Sequence, residues 1–412
     1  MNYNYRYRIR PPDDVANELR RHIDTCRQLY NHCLYVLNES DDIPARYEVQ
    51  GTLPDLKQWW GGLKNVHSKV LQMVVKRLYD NLSTLRERKK RGYRVGRLRW
   101  KPPREYRSLT YNQTGFKLEN KSGQPTLWLS KIGEISLVYH REIPDDATVK
   151  QVSIKREPTG EWYAVLGIKT EDEAPPKPDN PEKAVGIDVG ILKYTHDTDG
   201  LSVGSLDLSD ERERLEREQR ALSRKDHGSA NYHKQRRKVA ECHADLKRKR
   251  RDFLHKLSTW YAEEYDFVAV EALNAKGLME LPSNSRNRAS AAWGTFLRML
   301  EYKCEREGAY FVDVRPHGTT KECSQCGVST DKPLWVRQHS CPACGFECDR
   351  DANAAHNVLN RAIEKSDIGM GQPESTPVET GAATDTEIPS VSARTVVEAG
   401  SPTLNEAASA AE

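Results

Sequence analysis

The chain has 412 residues, with 64 Lys and Arg, 60 Asp and Glu, and a formal net charge of +4. It has no apolar run of about eighteen residues, which argues against a transmembrane helix, and MNYNYRYRIRPPDD at the N-terminus lacks the apolar core of a signal peptide. Five of its nine cysteines are scattered, which favours a reducing compartment over a disulfide framework. We therefore expect a cytoplasmic, nucleoid-associated protein without a membrane partner.

A helical region near the N-terminus runs into a strongly basic stretch. Residues 12–90 have a mostly helical pattern, and residues 86–107 carry eleven Lys and Arg against two acids. Aromatic side chains alternate with these arginines, and such rings stack on bases while guanidiniums pair with phosphates. Solvated surface charge is the alternative interpretation. We predict nucleic-acid contacts from Arg94, Arg97, Arg99, Trp100, Lys101, Arg104 and Tyr106.

Residues 107–170 change character, with alternating apolar stretches such as PTLWLS and EWYAVLGIKT punctuated by Gly and Pro. This pattern predicts antiparallel strands, which we interpret as a small β-barrel. Together with the helices it defines an N-terminal region, residues 1–170, for nucleic-acid recognition. Residues 171–182 are acidic and Pro-rich, and we expect them to form a linker.

The pattern from residue 183 onward alternates between strands and helices. A second basic stretch, residues 211–256, lies in a helical segment whose break at 227–231 predicts a helical hairpin over 209–265. A buried strand at 267–273, an amphipathic helix at 289–307 and a further strand, AYFVDV, follow. Such alternation favours an α/β layer architecture. Residues 366–412 have eight acids, one Arg and no aromatic residue, and we predict a disordered acidic tail there.

Four cysteines near the C-terminus have the spacing of a metal site. Cys323, Cys326, Cys341 and Cys344 form two C-x2-C pairs, each followed by a glycine. Zn²⁺ prefers four tetrahedral thiolates, and each pair supplies two of them from one tight turn. Because four thiolates fill the coordination shell, we predict a structural zinc ribbon over residues 321–345; a redox pair is the alternative.

Three carboxylates are candidates for a second metal site. Asp188 lies in the strand VGIDV with a glycine on each side along its face, which we interpret as room for a hydrated metal. Glu271 interrupts the apolar strand VAVEAL, where an ionised group is costly without a cation. Asp351 opens the inward face of the last helix, whereas Asp349 has the position of its N-cap. A turn-forming Asp and a salt-bridged Glu remain alternatives. The three acids suggest phosphodiester hydrolysis with two Mg²⁺ ions.

These motifs together resemble a known family. GIDVG, VAVEALNAKGL, the double C-x2-C motif and DRDANAAHNVL are similar to the split RuvC-like nuclease domain of TnpB proteins, the OrfB products of insertion sequences and relatives of type V CRISPR effectors. The resemblance extends over residues 1–365. It implies a multidomain α+β protein: an N-terminal β-barrel with inserted helices, then an RNase H-like (RuvC-type) α/β domain of residues 183–320 and 346–365 that carries the zinc ribbon.

The resemblance also implies a function. We expect an RNA-guided DNA endonuclease whose catalytic residues Asp188, Glu271 and Asp351 bind Mg²⁺. Its partners would be a guide RNA transcribed from the transposon end and a double-stranded DNA target. An RNA-independent transposase or resolvase, and a non-catalytic zinc-ribbon regulator of transposition, are the alternatives.

Overall fold

The computed structural model describes residues 1–121, 124–171, 173–273, 291–333 and 335–366. It divides into two compact units, one of residues 1–173 and 228–241 and the other of residues 174–227 and 242–412. None of the described helices is long and apolar enough to cross a membrane. The predicted tail lies outside the described residues from residue 367 onward.

The first unit combines one antiparallel sheet with a group of helices. Its described strands are β1 (Asn2–Ile9), β2 (Ser108–Asn112), β3 (Phe116–Lys121), β4 (Gln124–Leu129), β5 (Gly133–Val138), β6 (Thr148–Arg156) and β7 (Trp162–Lys169). Its described helices are α1 (Asp13–Glu39), α2 (Arg46–Gly51), α3 (Leu53–Trp59), α4 (Gly61–Asn65) and α5 (Ser68–Lys90). The predicted helical region and antiparallel strands are therefore confirmed.

The predicted barrel is wrong, because the sheet is open. The strand order is β2-β6-β7-β1-β5-β4-β3, which leaves β2 and β3 as unpaired edges among the described strands. Strand β1, which the sequence analysis did not predict, lies between β7 and β5. Apolar side chains from the sheet and from α1 and α5 form one hydrophobic core. The apolar side of the sheet is thus covered by helices, and closure into a barrel is not needed to bury it.

The second unit contains a mixed five-stranded sheet. The described strands of this unit are β8 (Ala184–Val189), β9 (Lys193–Asp197), β10 (Ser202–Gly204), β11 (Phe267–Glu271), β12 (Tyr310–Val314), β13 (Gln338–Ser340) and β14 (Glu347–Asp349). The last two, β13 and β14, form a separate two-stranded sheet. The described helices from residue 174 onward are α6 (Ser209–Ser223), α7 (Ala230–Glu264), α8 (Trp293–Glu307) and α9 (Arg350–Ser366), with the first turns of α7 grouped in the first unit. The sheet order is β10-β9-β8-β11-β12, in which β8, β11 and β12 are parallel.

The predicted helical hairpin is confirmed by ion pairs between α6 and α7. Arg214 on α6 lies 3.3 Å from Asp245 on α7, and Glu211, one turn earlier on α6, pairs with Lys249, one turn later on α7. The two helices therefore run antiparallel along this length. The charges that the sequence concentrates here are partly satisfied within the hairpin itself.

The two faces of the five-stranded sheet pack against different helices. Val185 and Ile187 of β8 join a core formed with α7 and α8. On the opposite face, Phe267, Ala269 and Val314 of the other parallel strands pack against the apolar side of α9. The alternation of side chains along β8 therefore directs Asp188 to the face that α9 covers.

Gly186 allows α9 to pack directly on β8. A Cβ atom at this position would lie 2.8 Å from Cβ and 2.9 Å from the backbone nitrogen of Leu359, and closer still to the carbonyl oxygen of Ala355. At Gly190 a Cβ would lie 2.7 Å from the carbonyl oxygen of Lys193 in the following hairpin. The interpretation that these glycines make room for a hydrated metal is therefore wrong, because protein backbone fills the space.

Candidate metal centre and nuclease site

The four motif cysteines form a compact cluster. Among the described residues they are the one group of three or more His, Cys, Asp or Glu residues whose ligand atoms all lie within 4.8 Å of one another. The Sγ atoms of Cys323 and Cys344 are 3.7 Å apart, and those of Cys326 and Cys341 are 3.5 Å apart. A regular tetrahedron with Zn–S bonds of about 2.3 Å has edges of about 3.8 Å. The cluster therefore has the size that a tetrahedral zinc ion requires.

The backbone around each cysteine pair forms the expected tight turn. Gly327 and Gly345 have φ angles of 72° and 75°, a left-handed conformation that favours glycine. Their N–H groups donate to the carbonyl oxygens of Cys323 (2.8 Å) and Cys341 (3.0 Å). Backbone N–H groups of the second turn point at the thiol of Cys341 and hold its pKa below the ordinary value. This turn is thus arranged to stabilise a thiolate.

Asp188 and Glu271 lie side by side on neighbouring parallel strands. Val270 pairs with Ile187, so the next residues along β11 and β8 are these two acids. Glu271 is 7% exposed. Burial, followed by the negative charges of Glu271 and Asp351, raises the pKa of Asp188 to about 8. Like charges brought together at a partly buried site favour a bound cation.

Asp351 and Asp349 have the two positions that the sequence predicted. The carboxylate of Asp349 accepts hydrogen bonds from the backbone N–H groups of Asp351 (2.7 Å) and Ala352 (3.3 Å), as an N-cap does. Asp351 is 7% exposed, and it lies on the buried side of α9. The helix start therefore directs one acid to its own backbone and the other to the interior.

Two arginines contact the carboxylate of Asp351 in this structure. Arg337, from the segment between the two cysteine pairs, contacts one carboxylate oxygen, and Arg350 lies 3.4 Å from the other. Both arginines also lower the pKa of Asp188. The ligand atoms of the three acids do not converge within 4.8 Å of one another among the described residues. The guanidiniums balance the negative charge that a metal ion would otherwise balance.

A buried histidine also faces this site. His196 on β9 is the register partner of Asp188 on β8, and the two side chains therefore share one face of the sheet. It is 7% exposed, and within the part of the chain that the structure describes neither ring nitrogen has a hydrogen-bond partner. We did not predict this residue from the sequence, although its place in KYTHD, opposite VGIDV across a short hairpin, is a usable signal.

A group of buried amides connects α9 to the loop that enters the ribbon. Nδ2 of Asn357 donates to the carbonyl oxygens of Thr319 (2.8 Å) and Glu322 (2.7 Å). One turn earlier, Nδ2 of Asn353 donates to the same oxygen of Glu322 (2.7 Å). The hydroxyl of Thr319 donates to Oε1 of Glu271 at 2.6 Å. We call this set, Thr319, Glu322, Asn353 and Asn357, the amide latch; it fixes the orientation of Glu271.

The predicted nucleic-acid segment is largely exposed. Arg94, Arg97, Arg99, Arg104 and Trp100 are exposed, and these four arginines form no ion pair with any described residue. The backbone of Lys101 is anchored, because its N–H donates to Asn31 at 2.8 Å and its carbonyl oxygen accepts from the same side chain at 3.1 Å.

Tyr106 differs from the other predicted contact residues. It is 4% exposed, its ring centroid lies 6.0 Å from that of Tyr30, and the guanidinium of Arg77 lies 5.0 Å from its ring centre. Because protein covers its ring, Tyr106 supports the fold and is not available to stack on a base.

Comparison with known proteins places the chain in a family. The family profile described as "Probable transposase" (OrfB_IS605) matches residues 167–281, and "Cas12f1-like, TNB domain" matches residues 293–358. A protein of Streptomyces pristinaespiralis named "Putative RNA-guided DNA endonuclease" is 32% identical over 378 residues, covering 89% of this chain and 91% of the relative. The chain belongs to the OrfB/TnpB family. The Escherichia coli K12 protein named "Putative RNA-guided DNA endonuclease InsQ" is 27% identical over 86% of this chain and 91% of its own length.

Solved structures show the same fold. The chain in "Cryo-EM structure of the Cas12f1-sgRNA-target DNA complex" matches with a TM-score of 0.60 at 16% identity, over 85% of this chain and 83% of that one. A profile described as "Helix-turn-helix domain" (HTH_OrfB_IS605) matches residues 1–40. In this TnpB-family member those residues form strand β1 and the single helix α1. The match to the Cas12f1 chain shows that the two chains share a multidomain α/β architecture.

Proposed function

We propose that this TnpB-family protein is an RNA-guided DNA endonuclease that hydrolyses phosphodiester bonds, with Asp188, Glu271 and Asp351 as its catalytic residues. The observation that carries the proposal is the placement of two acids on adjacent parallel strands, with a third acid on the helix that covers the same face. Relatives along most of the chain are named RNA-guided DNA endonucleases. The proposed partners are a guide RNA from the transposon end and a double-stranded DNA target.

The proposed catalytic cations are Mg²⁺, for which carboxylate oxygens are the preferred ligands. When bound, two such ions would supply activation of a water molecule and stabilisation of the leaving oxygen of a phosphodiester. Asp188 and Glu271 would hold them from the sheet and Asp351 from α9, once Arg337 and Arg350 release its carboxylate. Thr319 keeps Glu271 turned into the site through its hydroxyl. The RNase H-like (RuvC-type) assignment of residues 183–320 and 346–365 is part of this proposal, as are the other predicted domain boundaries.

The proposed role of the ribbon is structural. Four thiolates leave no open position on a tetrahedral zinc ion, so the site has no place for a substrate. Strand β14, which leaves the ribbon, ends at Asp349, the residue that caps α9 and so fixes the direction of Asp351. Zinc would therefore support the nuclease site by holding the start of α9 in place.

The function is tested by purifying the full-length protein from cells that express it with its transposon end. We expect a discrete RNA to copurify, and we expect Mg²⁺-dependent cleavage of duplex DNA that carries a sequence matching a guide. Replacing the guide segment should redirect cleavage to the new sequence. Cleavage without RNA would favour a transposase or resolvase, and RNA binding without cleavage under any divalent cation would favour a non-catalytic regulator.

Removing one cysteine tests the ribbon. Cys326→Ser should lower the zinc content from about one ion per chain to well below that, because structural zinc depends on all four thiolates. Cleavage should fall with it, since Asp351 loses its support. Cys348→Ser is the matched control, because Cys348 lies nearby but outside the cluster. Elemental analysis that finds equal zinc in both variants would refute the proposed ligand set.

A further inference from the structure

Four arginines from distant parts of the chain lie in the first unit, and the charges of three of them act on the fourth, Arg156. Arg20 lies on α1, Arg107 ends the first basic stretch, Arg156 ends β6, and Arg237 lies on α7 within the second basic stretch. The backbone N–H of Arg156 donates to the carbonyl oxygen of Arg107 at 2.9 Å. We call these four residues the arginine cluster. The two basic runs of the sequence therefore come together at one place.

Arg237 lies against the turn between β6 and β7. The Nε atom of Arg237 lies 4.0 Å from where a Cβ of Gly160 would stand, in the turn that follows Arg156. The guanidinium of Arg156 lies 5.8 Å from the ring centre of Trp162 at the start of β7. One face of Arg156 is thus supported by an aromatic ring, which fixes the guanidinium without neutralising its charge.

The arginine cluster lacks acidic partners. Across the described ranges, from residue 1 to 366 with their gaps, none of the four arginines forms an ion pair, and the buried Nε of Arg156 has no hydrogen-bond partner. The nearest acid along the chain, Glu157, is engaged by Arg6 (3.1 Å) and Lys155 (3.2 Å). Burial, and next the charges of Arg20, Arg237 and Arg107, lower the pKa of Arg156. The guanidinium of Arg156 therefore lacks a neutralising partner, and a bound anion would relieve its repulsion with the neighbouring charges.

We propose that the arginine cluster is a binding site for the phosphodiester backbone of a nucleic acid, separate from the nuclease site. Guanidinium groups present paired N–H donors that match phosphate oxygens, and several of them from different segments fit successive phosphates better than a single carboxylate. The inference rests on the proposed function, which supplies the nucleic acid. The guide RNA and the DNA target both have a phosphodiester backbone, and the experiment distinguishes which of the two binds.

The experiment measures binding of the full-length protein at several KCl concentrations, with single-stranded RNA as one probe and duplex DNA as the other. Arg237→Gln is compared with Arg236→Gln on the same turn of α7. Arg20→Gln is compared with Arg21→Gln, whose arginine is 2.6 Å from Glu18 and so already has a partner. In each pair, the first substitution removes an arginine charge inside the arginine cluster, and the control removes an arginine charge outside it on the same helix.

We expect Arg237→Gln and Arg20→Gln each to shallow the log–log salt dependence by about 0.7 for single strands or about 0.9 for a duplex. That corresponds to about five- to eightfold weaker binding at 0.1 M salt, with the curves converging near 1 M. The controls should shift the slope much less. An effect with RNA alone identifies the RNA as occupant, an effect with DNA alone identifies the target, and an effect with both identifies the shared backbone.

Equal slopes for each variant and its control would overturn the proposal, because the charge would then act only as diffuse surface potential. Arg156→Gln adds a second measurement: it should weaken binding without lowering the melting temperature, because it relieves repulsion in the free protein, whereas a purely structural Arg156 would lower the melting temperature on substitution and leave the salt slope of the folded protein intact. The readout needs no cleavage. If the wild-type protein cleaves normally and Arg237→Gln leaves binding unchanged, only the arginine-cluster proposal is refuted. If the wild-type protein never cleaves, only the proposed function is refuted.

Discussion

Asp188→Asn is expected to abolish DNA cleavage and, in metal-free buffer, to raise the melting temperature of the protein. The loss of one carboxylate ligand removes several kcal/mol of transition-state stabilisation, which corresponds to about a thousandfold or more in rate. The gain in stability follows from the site itself, because burial and two neighbouring acids disfavour the ionised form of Asp188. An amide of the same shape carries no charge, and it therefore relieves that repulsion.

The pH dependence of this gain has a definite sign. The pKa of Asp188 rises from 3.8 to about 8 on folding, so the folded state holds the proton more tightly than the unfolded state. Stability is then lost as pH rises from about 4 toward 8 and levels off above that. The melting-temperature advantage of the Asn variant should therefore grow across this window.

Asp226→Asn is the matched control, since Asp226 is exposed in the turn between α6 and α7. It should leave both cleavage and melting temperature unchanged. Binding of Mn²⁺, followed by electron paramagnetic resonance, gives a readout besides activity, and it should weaken only in the Asp188 variant. Normal cleavage by Asp188→Asn, or a melting temperature that falls by several degrees in metal-free buffer, would contradict the assignment of Asp188 as a destabilising metal ligand.

Gly186→Ala is expected to destabilise the second unit and to disable cleavage together. The added methyl would meet the backbone of α9, which cannot move aside as a flexible side chain could. Overpacking of this kind costs about 3 kcal/mol, or a fall of about 5–10 °C in melting temperature. Because α9 also carries Asp351, any shift that relieves the clash displaces a proposed ligand.

Gly51→Ala is the control, because the space around Gly51 at the end of α2 is open. A second variant, Gly186→Ala with Leu359→Ala, tests the cause. Removing the leucine side chain leaves the carbonyl oxygen of Ala355 and the backbone nitrogen of residue 359 in place, so it should not restore stability. Full rescue by this double substitution would show that side-chain crowding, and not the backbone contact, makes glycine necessary.

The parts of the site that could be predicted from the sequence are those encoded locally. Two C-x2-C pairs define their own turns, and the observed cluster follows from spacing alone. The choice between Asp349 as cap and Asp351 as inward residue depends only on helical periodicity, and the observed hydrogen bonds and burial agree with it. A residue whose role is set within one or two turns of chain is within reach of sequence reasoning.

The remaining features depend on contacts between distant segments. Alternation along a strand identified the face of Asp188, but it could not reveal that a helix more than 150 residues later fills the space beside Gly186. Barrel closure failed as a prediction because distant helices, α1 and α5, cover the apolar side of the sheet, and its edge strands β2 and β3 do not pair with each other. Tyr106 resembles the exposed aromatic residues near it in sequence, and only tertiary packing distinguishes it.

The amide latch limits how this protein could be recombined with its relatives. Asn353 and Asn357 on α9 hold the carbonyl oxygens of a loop that lies before the first cysteine pair in sequence, and that loop carries the hydroxyl bound to Glu271. A chimera that exchanges only residues between the two cysteine pairs keeps donor and acceptor in the same parent. A single crossover placed between Glu322 and Asn353 would take them from different parents, and a parent whose last helix lacks these asparagines would leave the buried carbonyl groups without donors.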